Sequence, residues 1–310
     1  MISLGIDTSN YTTSAAFYNS DTGEYTREGK LLPVKQGEMG LRQSDAVFHH
    51  VIQLPEVMAA LRKKADFVPD IISVSVSPRD AEGSYMPCFM TGKGTAEIMG
   101  GMFNLPVYRF SHQAGHIAAA LLSADKLDVM QNKFLAFHVS GGTTEAVLSE
   151  PDKEKIMKLT PVASSLDLHA GQAIDRVGGM LGLKFPSGAE LDRLSRQSKK
   201  EYKIHPFIKD NSCSLSGVEN KCGKMLEDGE SPADIAKFCI SYIMTALEKM
   251  TDGLTEKYPG LPLVYSGGVM SNSLIRERFS QKYNCVFASD GLSTDNAVGI
   301  ACLGAMKHNI

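Results

Sequence analysis

Two histidines stand four residues apart in the run Ser-His-Gln-Ala-Gly-His, as His112 and His116. On a helix that spacing puts both imidazoles on one face, within reach of a single ion. Two histidines packed for other reasons would show the same spacing, so both readings stand. Gln113 occupies the position where a metalloprotease His-Glu-x-x-His motif carries its glutamate, which removes the base that peptidase chemistry needs. His49 and His50 are adjacent, point to different helix faces and read as non-ligands. Asp295 follows a turn and precedes an apolar run, where an aspartate commonly caps a helix. Asp7 reads as a strand-end turn residue and Asp175 as a helix-surface acid.

Three turns leave apolar strands: Asp7-Thr8-Ser9, Ser140-Gly141-Gly142-Thr143 and Ser266-Gly267-Gly268. Glycine lets backbone approach a phosphate without an intervening Cβ, and hydroxyls and free N–H groups then donate to its oxygens. One such turn is equally a tight hairpin. Three at the ends of strands point to a nucleotide.

The elements that must position these residues alternate between strand and helix. Residues 2–7 and 12–18 read as strands around a polar turn, 44–63 as a helix and Ile71 to Val76 as an apolar strand. A glycine-rich stretch around Thr91 to Gly94 follows, then a helix through Gly100 and Gly101. Residues 134–139, a Ser-Gly-Gly-Thr turn and residues 145–148 repeat the strand, turn, strand layout of the first residues, which suggests internal duplication. Residues 164–183 and 233–257 read as helices, the second with apolar residues near helical spacing. Leu261 to Tyr265 reads as a buried strand, with a helix opening around Asn272. Arg196 to Lys203 reads as a solvated helix end or loop. The expected division is 1–124 and 125–310.

A chain of 310 residues suits two domains of about 150 residues each. With 43% hydrophobic and 22% charged residues it has an ordinary globular composition, which excludes disordered, collagen-like and coiled-coil classes. A net charge of -3 exerts no global pull on polyanions, so nucleic acid must be met by a local patch or a partner subunit. The six cysteines are scattered without a Cys-x-x-Cys pair, which argues against a zinc ribbon or a redox pair. No signal-peptide pattern opens the chain and no window approaches about 20 apolar residues, so the expectation is a cytoplasmic protein without a membrane contact.

Seven segments occur in the order found in the TsaD, or glycoprotease-like, family of the actin/hexokinase/Hsp70 (ASKHA) superfamily. They are His112-x-x-x-His116, Val139 to Thr143, Ala170 to Asp175, Leu181 to Pro186, Cys213 to Gly217, Gly267 to Asn272 and Thr294-Asp295-Asn296. The chain resembles this family over nearly its whole length. The resemblance implies an α/β, two-lobed fold with duplicated mixed-sheet domains. It implies transfer of a threonylcarbamoyl group from threonylcarbamoyl-adenylate to N6 of an adenosine beside the tRNA anticodon. By the same resemblance His112, His116 and Asp295 hold one iron or zinc ion. Ser140, Gly141 and Gly142 meet the adenylate phosphate and carbamoyl end, and Asp175, Gly188, Asp192 and Asn272 line the adenine nucleotide. No side chain is singled out as a nucleophile or general base. The implied partners are tRNA and companion proteins, one a fold relative and one a small ATPase.

The chain also departs from the family pattern. Thr143 stands where the family usually has histidine after Ser-Gly-Gly, and Pro186-Ser187-Gly188-Ala189 replaces Pro-Gly-Gly-Pro. Ser77-Pro78-Arg79-Asp80 stands in place of an early Gly-Pro-Gly. Losing glycine where backbone should approach a ligand remodels a pocket, which marks a divergent paralogue. Two other functions therefore remain open: a non-catalytic nucleotide-binding partner, and an ATP-dependent carbamoyl or phosphoryl transferase acting on a small molecule.

Overall fold

The computed structural model describes residues 1–9, 11–33, 41–288, 292 and 296–310. They form two compact units. In the first, β1 (Ile2–Ser9) pairs antiparallel with β2 (Thr12–Asn19), which pairs antiparallel with β3 (Tyr25–Leu31). After α1 (Gln43–Lys64), β4 (Ile71–Ser77) adds parallel to β1. Next come α2 (Phe89–Phe103), β5 (Val107–Ser111), parallel to β4, and α3 (His112–Ser123). The sheet order is β3-β2-β1-β4-β5.

The two faces of this sheet differ because side chains alternate along each strand. Leu4 and Ile6 of β1, with Ile72 and Val74 of β4, pack against Leu54, Val57 and Leu61 of α1 and Ala96 of α2. Ser3, Gly5 and Asp7 point the other way, as do Ser73 and Ser75. At these positions the side chains are small, with Ala16 and Tyr18 of β2 and Ile71 of β4 beside them on the same face.

The second unit begins with β6 (Phe134–Val139), which pairs antiparallel with β7 (Thr144–Asp152); β8 (Ile156–Ser164) lies beside β7. Then follow α4 (Ala170–Met180), α5 (Gly188–Ser195), the two-residue strands β9 (Ile208–Lys209) and β10 (Ser212–Cys213), α6 (Ser216–Glu227) and α7 (Pro232–Lys257). The strand β11 (Leu263–Ser266) lies parallel to β6, α8 (Ser273–Lys282) follows, and β12 (Cys285–Phe287) lies parallel to β11. The order β12-β11-β6-β7-β8 repeats the plan of the first sheet read in reverse. The duplication expected from the two strand-turn-strand segments is therefore present in the topology. Leu135, Phe137 and Val139 bury one face of β6 against a core that includes Ile174 and Val177 of α4 and Ile240 and Ile243 of α7.

The last helix, α9 (Ala297–His308), returns to the first unit, which also takes Glu150–Leu159. A single cut after residue 124 would place α9 with residues 125–287, whereas it packs on β1, β2, β4 and α3. It seats itself on this second face of the first sheet. A methyl group on Gly5 would collide with the Ala297 carbonyl, and one on Gly299 with the Gly115 carbonyl of α3. Backbone therefore lies against backbone where the helices meet.

Most expected elements are present, with three differences. The glycine-rich stretch from Thr91 to Gly94 lies inside α2 instead of before it. The helix expected over 164–183 is shortened to α4, because residues 165–169 turn to meet β7 and residues 213–216. Asp295 lies outside the described residues.

Gly299→Ala is expected to cost about 1–3 kcal/mol or more, the usual range for overpacking, because the obstacle is a carbonyl and not a flexible side chain. The midpoint of urea unfolding measures it.

Candidate functional site

In the first unit, polar groups converge on Asp7. This aspartate ends β1 on the face that α9 covers and is only 1% exposed. Its Oδ1 accepts from Ser75 Oγ of β4, from His112 Nδ1 at 3.0 Å and from Asn296 Nδ2 at 3.3 Å. Burial alone would raise its pKa, but the interactions with His112, Ser75 and Ser9 outweigh burial and hold the carboxyl below its ordinary value. A carboxylate oxygen only accepts, so in the contact with Asp7 it is His112 Nδ1 that donates; the Asn296 amide nitrogen lies 2.7 Å from the same Nδ1. His116 Nε2 lies 3.0 Å from His112 Nε2.

Local sequence explains the placement. Ser111 caps α3 by accepting from Ala114 N at 3.2 Å, so His112 is the first helical residue and His116 lies one turn later. Gly115, between them, leaves room for the Asn296 amide, which a methyl group would strike. Asn296 precedes α9 and is 2% exposed, and its Oδ1 has no hydrogen-bond partner among the described residues.

These residues fit a metal ion. A separation of 3.0 Å lets one ion bind both nitrogens with bonds of about 2.1 Å. Asp7 behind His112 is the arrangement that fixes the tautomer and basicity of a ligating imidazole. Among the described residues there is no cluster of three or more ligand side chains. The third expected ligand, Asp295, is not among them.

In the second unit, the Ser140–Thr143 turn closes the β6–β7 hairpin and abuts the N-terminus of α4. Ser140 N donates to Thr143 O at 2.7 Å, Gly171 N to Ser140 O at 3.1 Å and Ala170 N to Thr144 Oγ1 at 2.8 Å. Gly171 has to be glycine because a methyl group there would come within 2.6 Å of Gly141 backbone. By contrast, Cβ atoms on Gly141, Gly142 or Gly268 would meet nothing among the described residues. Gly267, at φ 94°, presses against the Val139 backbone and joins the two turns. A helix N-terminus beside glycine turns is suited to an anion.

The remaining predicted nucleotide residues hold loops and helix ends. Asp175 Oδ1 accepts from Ser187 N at 2.8 Å; burial pushes its carboxyl up, opposed by that hydrogen bond. The Ser187 side chain, where the family pattern has glycine, fits against α4 because Gly178 has no Cβ to obstruct it. Gly188 opens α5, and Asp192 on α5 accepts from Ser273 N at 3.0 Å and Ser273 Oγ at 2.7 Å. Asn272 caps α8 through Leu274 N and Ile275 N. Asp192 and Asn272 are thus brought together at one helix end, and Asp175 and Gly188 flank Ser187.

One organising residue had no signal in the sequence reading. Asp167 accepts from the N–H groups of Leu168, Leu215 and Ser216 and from the hydroxyls of Ser214 and Ser216, tying α6 to the segment before α4. The alternation Ser214-Leu215-Ser216 just before a helix was the available clue. Asn296 was visible only as a neighbour of Asp295, and Ser75 as a polar residue recurring at alternate positions of a buried strand.

The sequence model described as TsaD: tRNA N6-adenosine threonylcarbamoyltransferase matches residues 35–302. The chain belongs to this family. A relative named tRNA N6-adenosine threonylcarbamoyltransferase from Buchnera aphidicola subsp. Schizaphis graminum is 29% identical, over 98% of this chain and 92% of its own. Among solved structures, T. kodakarensis HypF superposes with a TM-score of 0.62 at 13% identity, over 99% of this chain and 47% of its own. The Acidaminococcus fermentans (R)-2-hydroxyglutaryl-CoA dehydratase component A gives 0.58 at 16% identity, over 99% and 98%. These likenesses bear out the expected α/β fold of the ASKHA type.

Asp167 sets an acid limit. Burial opposes its ionisation, but the Ser214 and Ser216 hydroxyls and two backbone N–H groups prevail and hold the carboxyl well below 3.8. Its stabilisation is therefore complete above the ordinary carboxylate range and is lost as pH falls through the lowered value. Asp167→Asn is expected to lower stability at neutral pH and to flatten the acid side of a plot of melting temperature against pH.

Proposed function

We propose that this protein transfers the threonylcarbamoyl group of threonylcarbamoyl-adenylate to N6 of an adenosine adjacent to the anticodon of tRNA. The observation that carries the reading is the family match over residues 35–302, which takes in the α3 histidines and both glycine turns. Ser140, Gly141 and Gly142, at the N-terminus of α4, receive the adenylate phosphate and carbamoyl end, where the helix dipole favours negative charge. Asp175, Gly188, Asp192 and Asn272 line the nucleotide, with Asp192 and Asn272 fixing the α8 end that borders it. His112 and His116 hold an iron or zinc ion with Asp295, and Asp7 sets the tautomer of His112. When bound, that ion supplies Lewis-acid polarisation of the acyl donor's oxygens.

Among the described residues nothing crowds Gly141, Gly142 or Gly268, which suits a ligand there, and the loss of family glycines at Ser77, Arg79 and Ser187 leaves these three intact. Among the described residues no helix is long and apolar enough to cross a membrane, in keeping with work on tRNA in the cytoplasm. The reaction involves companion proteins, one a fold relative and one a small ATPase.

With threonylcarbamoyl-adenylate, tRNA and the companion proteins, the purified chain is expected to yield the modified nucleoside on mass analysis of digested tRNA. Unmodified adenosine, in parallel with success by another family member, would refute the reading. Elemental analysis of protein purified without added metal is expected to find one ion per chain. His112→Ala combined with His116→Ala should lose it, and Asp7→Asn should weaken metal affinity by about 10–100-fold, as loss of an orienting carboxylate does.

A further inference from the structure

In the second unit an exposed aromatic side chain stands close to the Ser140–Thr143 turn, and packing does not account for it. Phe207 is 60% exposed, makes no ring contact among the described residues and leads into the β9–β10 hairpin. Its carbonyl accepts from Ser214 N at 3.0 Å. Leu166, 48% exposed, donates its N–H to Cys213 O at 2.8 Å, so the two apolar residues lie on either side of β10. Ser165, one residue back, donates its N–H to Thr144 O at 2.7 Å, which joins the hairpin to the end of the glycine turn. Phe185 is more exposed still, at 80%, but it follows the far end of α4.

The mount of this ring is firmly held. The hairpin tip, Asp210-Asn211, has φ 51° and 62°, the pair of left-handed residues that a two-residue hairpin takes. Asn211 presses on Gly253 of α7, where a Cβ would strike its Oδ1. Asp167 fixes the chain after β10 through the Ser214 hydroxyl and Leu215 N. A ring carried on ordered backbone loses little freedom when something covers it. Its segment also offers charge. Lys203 and Lys209 are exposed and form no ion pair among the described residues, whereas Arg176 is tied to Glu219 and Lys200 to Glu230 and Asp234. Asp210, at the tip, carries the opposite sign. Two apolar side chains fall far short of the roughly 800 Å² per partner that a stable protein interface buries. One phenyl face matches one base, and lysines beside an aromatic suit a single strand, with base on ring and phosphate on ammonium.

We propose that Phe207 is the platform on which a base beside the target adenosine stacks, with Lys203 and Lys209 meeting the phosphates around it. The proposal rests on the transferase reading and deepens it by assigning to this chain a surface that positions the RNA loop. Drawing the target adenosine out of the loop takes a stacking neighbour from the base beside it, and the phenyl ring supplies a substitute. The stack then holds the loop where N6 can reach an acyl group at the Ser140–Gly142 turn. With a net charge of -3 the chain has no general pull on RNA, so a fixed ring with two lysines orients more than it attracts.

Steady-state transfer with the full chain, its companion proteins, threonylcarbamoyl-adenylate and tRNA tests this for wild type, Phe207→Ala, Phe207→Tyr and Lys209→Ala. Phe207→Ala is expected to raise KM for tRNA by about 10–100-fold, the usual loss for one stacked base, with a much smaller change in kcat. Phe207→Tyr keeps the ring and should restore KM. Lys209→Ala should weaken tRNA binding and lower its salt dependence by about one phosphate contact. An unchanged KM in Phe207→Ala overturns the proposal, as does a loss that tracks a lowered melting temperature or the release of a companion protein. The chain has no tryptophan, so Phe207→Trp makes a single reporter. At saturating RNA its emission should be quenched by the anticodon arm and much less by the same arm made abasic on both sides of the target adenosine. Equal quenching by the two arms, or none, overturns the stack. Quenching needs no turnover, so it decides the contact even where wild type leaves the adenosine unmodified and the transferase reading falls.

Discussion

Backbone lies against backbone where α9 meets β1 and α3, and the first unit depends on that contact. It requires Gly5, Gly115 and Gly299 to lack side chains, and it requires small residues such as Ser73 under Gly304. The close approach brings the residue before α9, Asn296, to Asp7 and His112. Wider spacing would detach the amide from the carboxylate and leave a buried charge with fewer donors, a costly state in a low-dielectric interior. Site chemistry and packing are thus the same constraint here.

The second unit solves a related problem with turns. Gly171 and Gly267 bring α4 and the end of β11 against the Ser140–Thr143 turn, so two N–H groups of a helix start are already committed to holding it. The uncrowded glycines are different in kind from those facing backbone. A Cβ on Gly141, Gly142 or Gly268 would meet nothing among the described residues, whereas Gly171 and Gly267 leave room for the protein itself. The Ser187 departure belongs with the second kind, since Gly178 opposite it absorbs the added side chain.

Much of this was legible in the residues. The α3 histidine pair, the glycine turns and the duplicated strand-turn-strand segments all follow from local spacing, and each has its expected place in the topology. What local spacing does not carry is contact between distant segments. Asp7 reads as a turn residue until Ser75, His112 and Asn296, from three other elements, are seen to converge on it. Asp192 and Asn272 were read as nucleotide residues, and their partners show that they also build the helix end on which such a role would rest.

Because α9 packs on the first sheet, strands made early are covered only by a helix made later. Residues 1–132 can pair their strands as they emerge, but the face bearing Ser3, Gly5 and Asp7 stays bare until residues 288–308 have been made. Domains ordinarily fold in order of synthesis, the first one first. Here the buried carboxylate waits, wet and without Asn296, while the whole second unit is translated. The ribosome therefore delivers the intervening unit before it delivers the helix that closes the first.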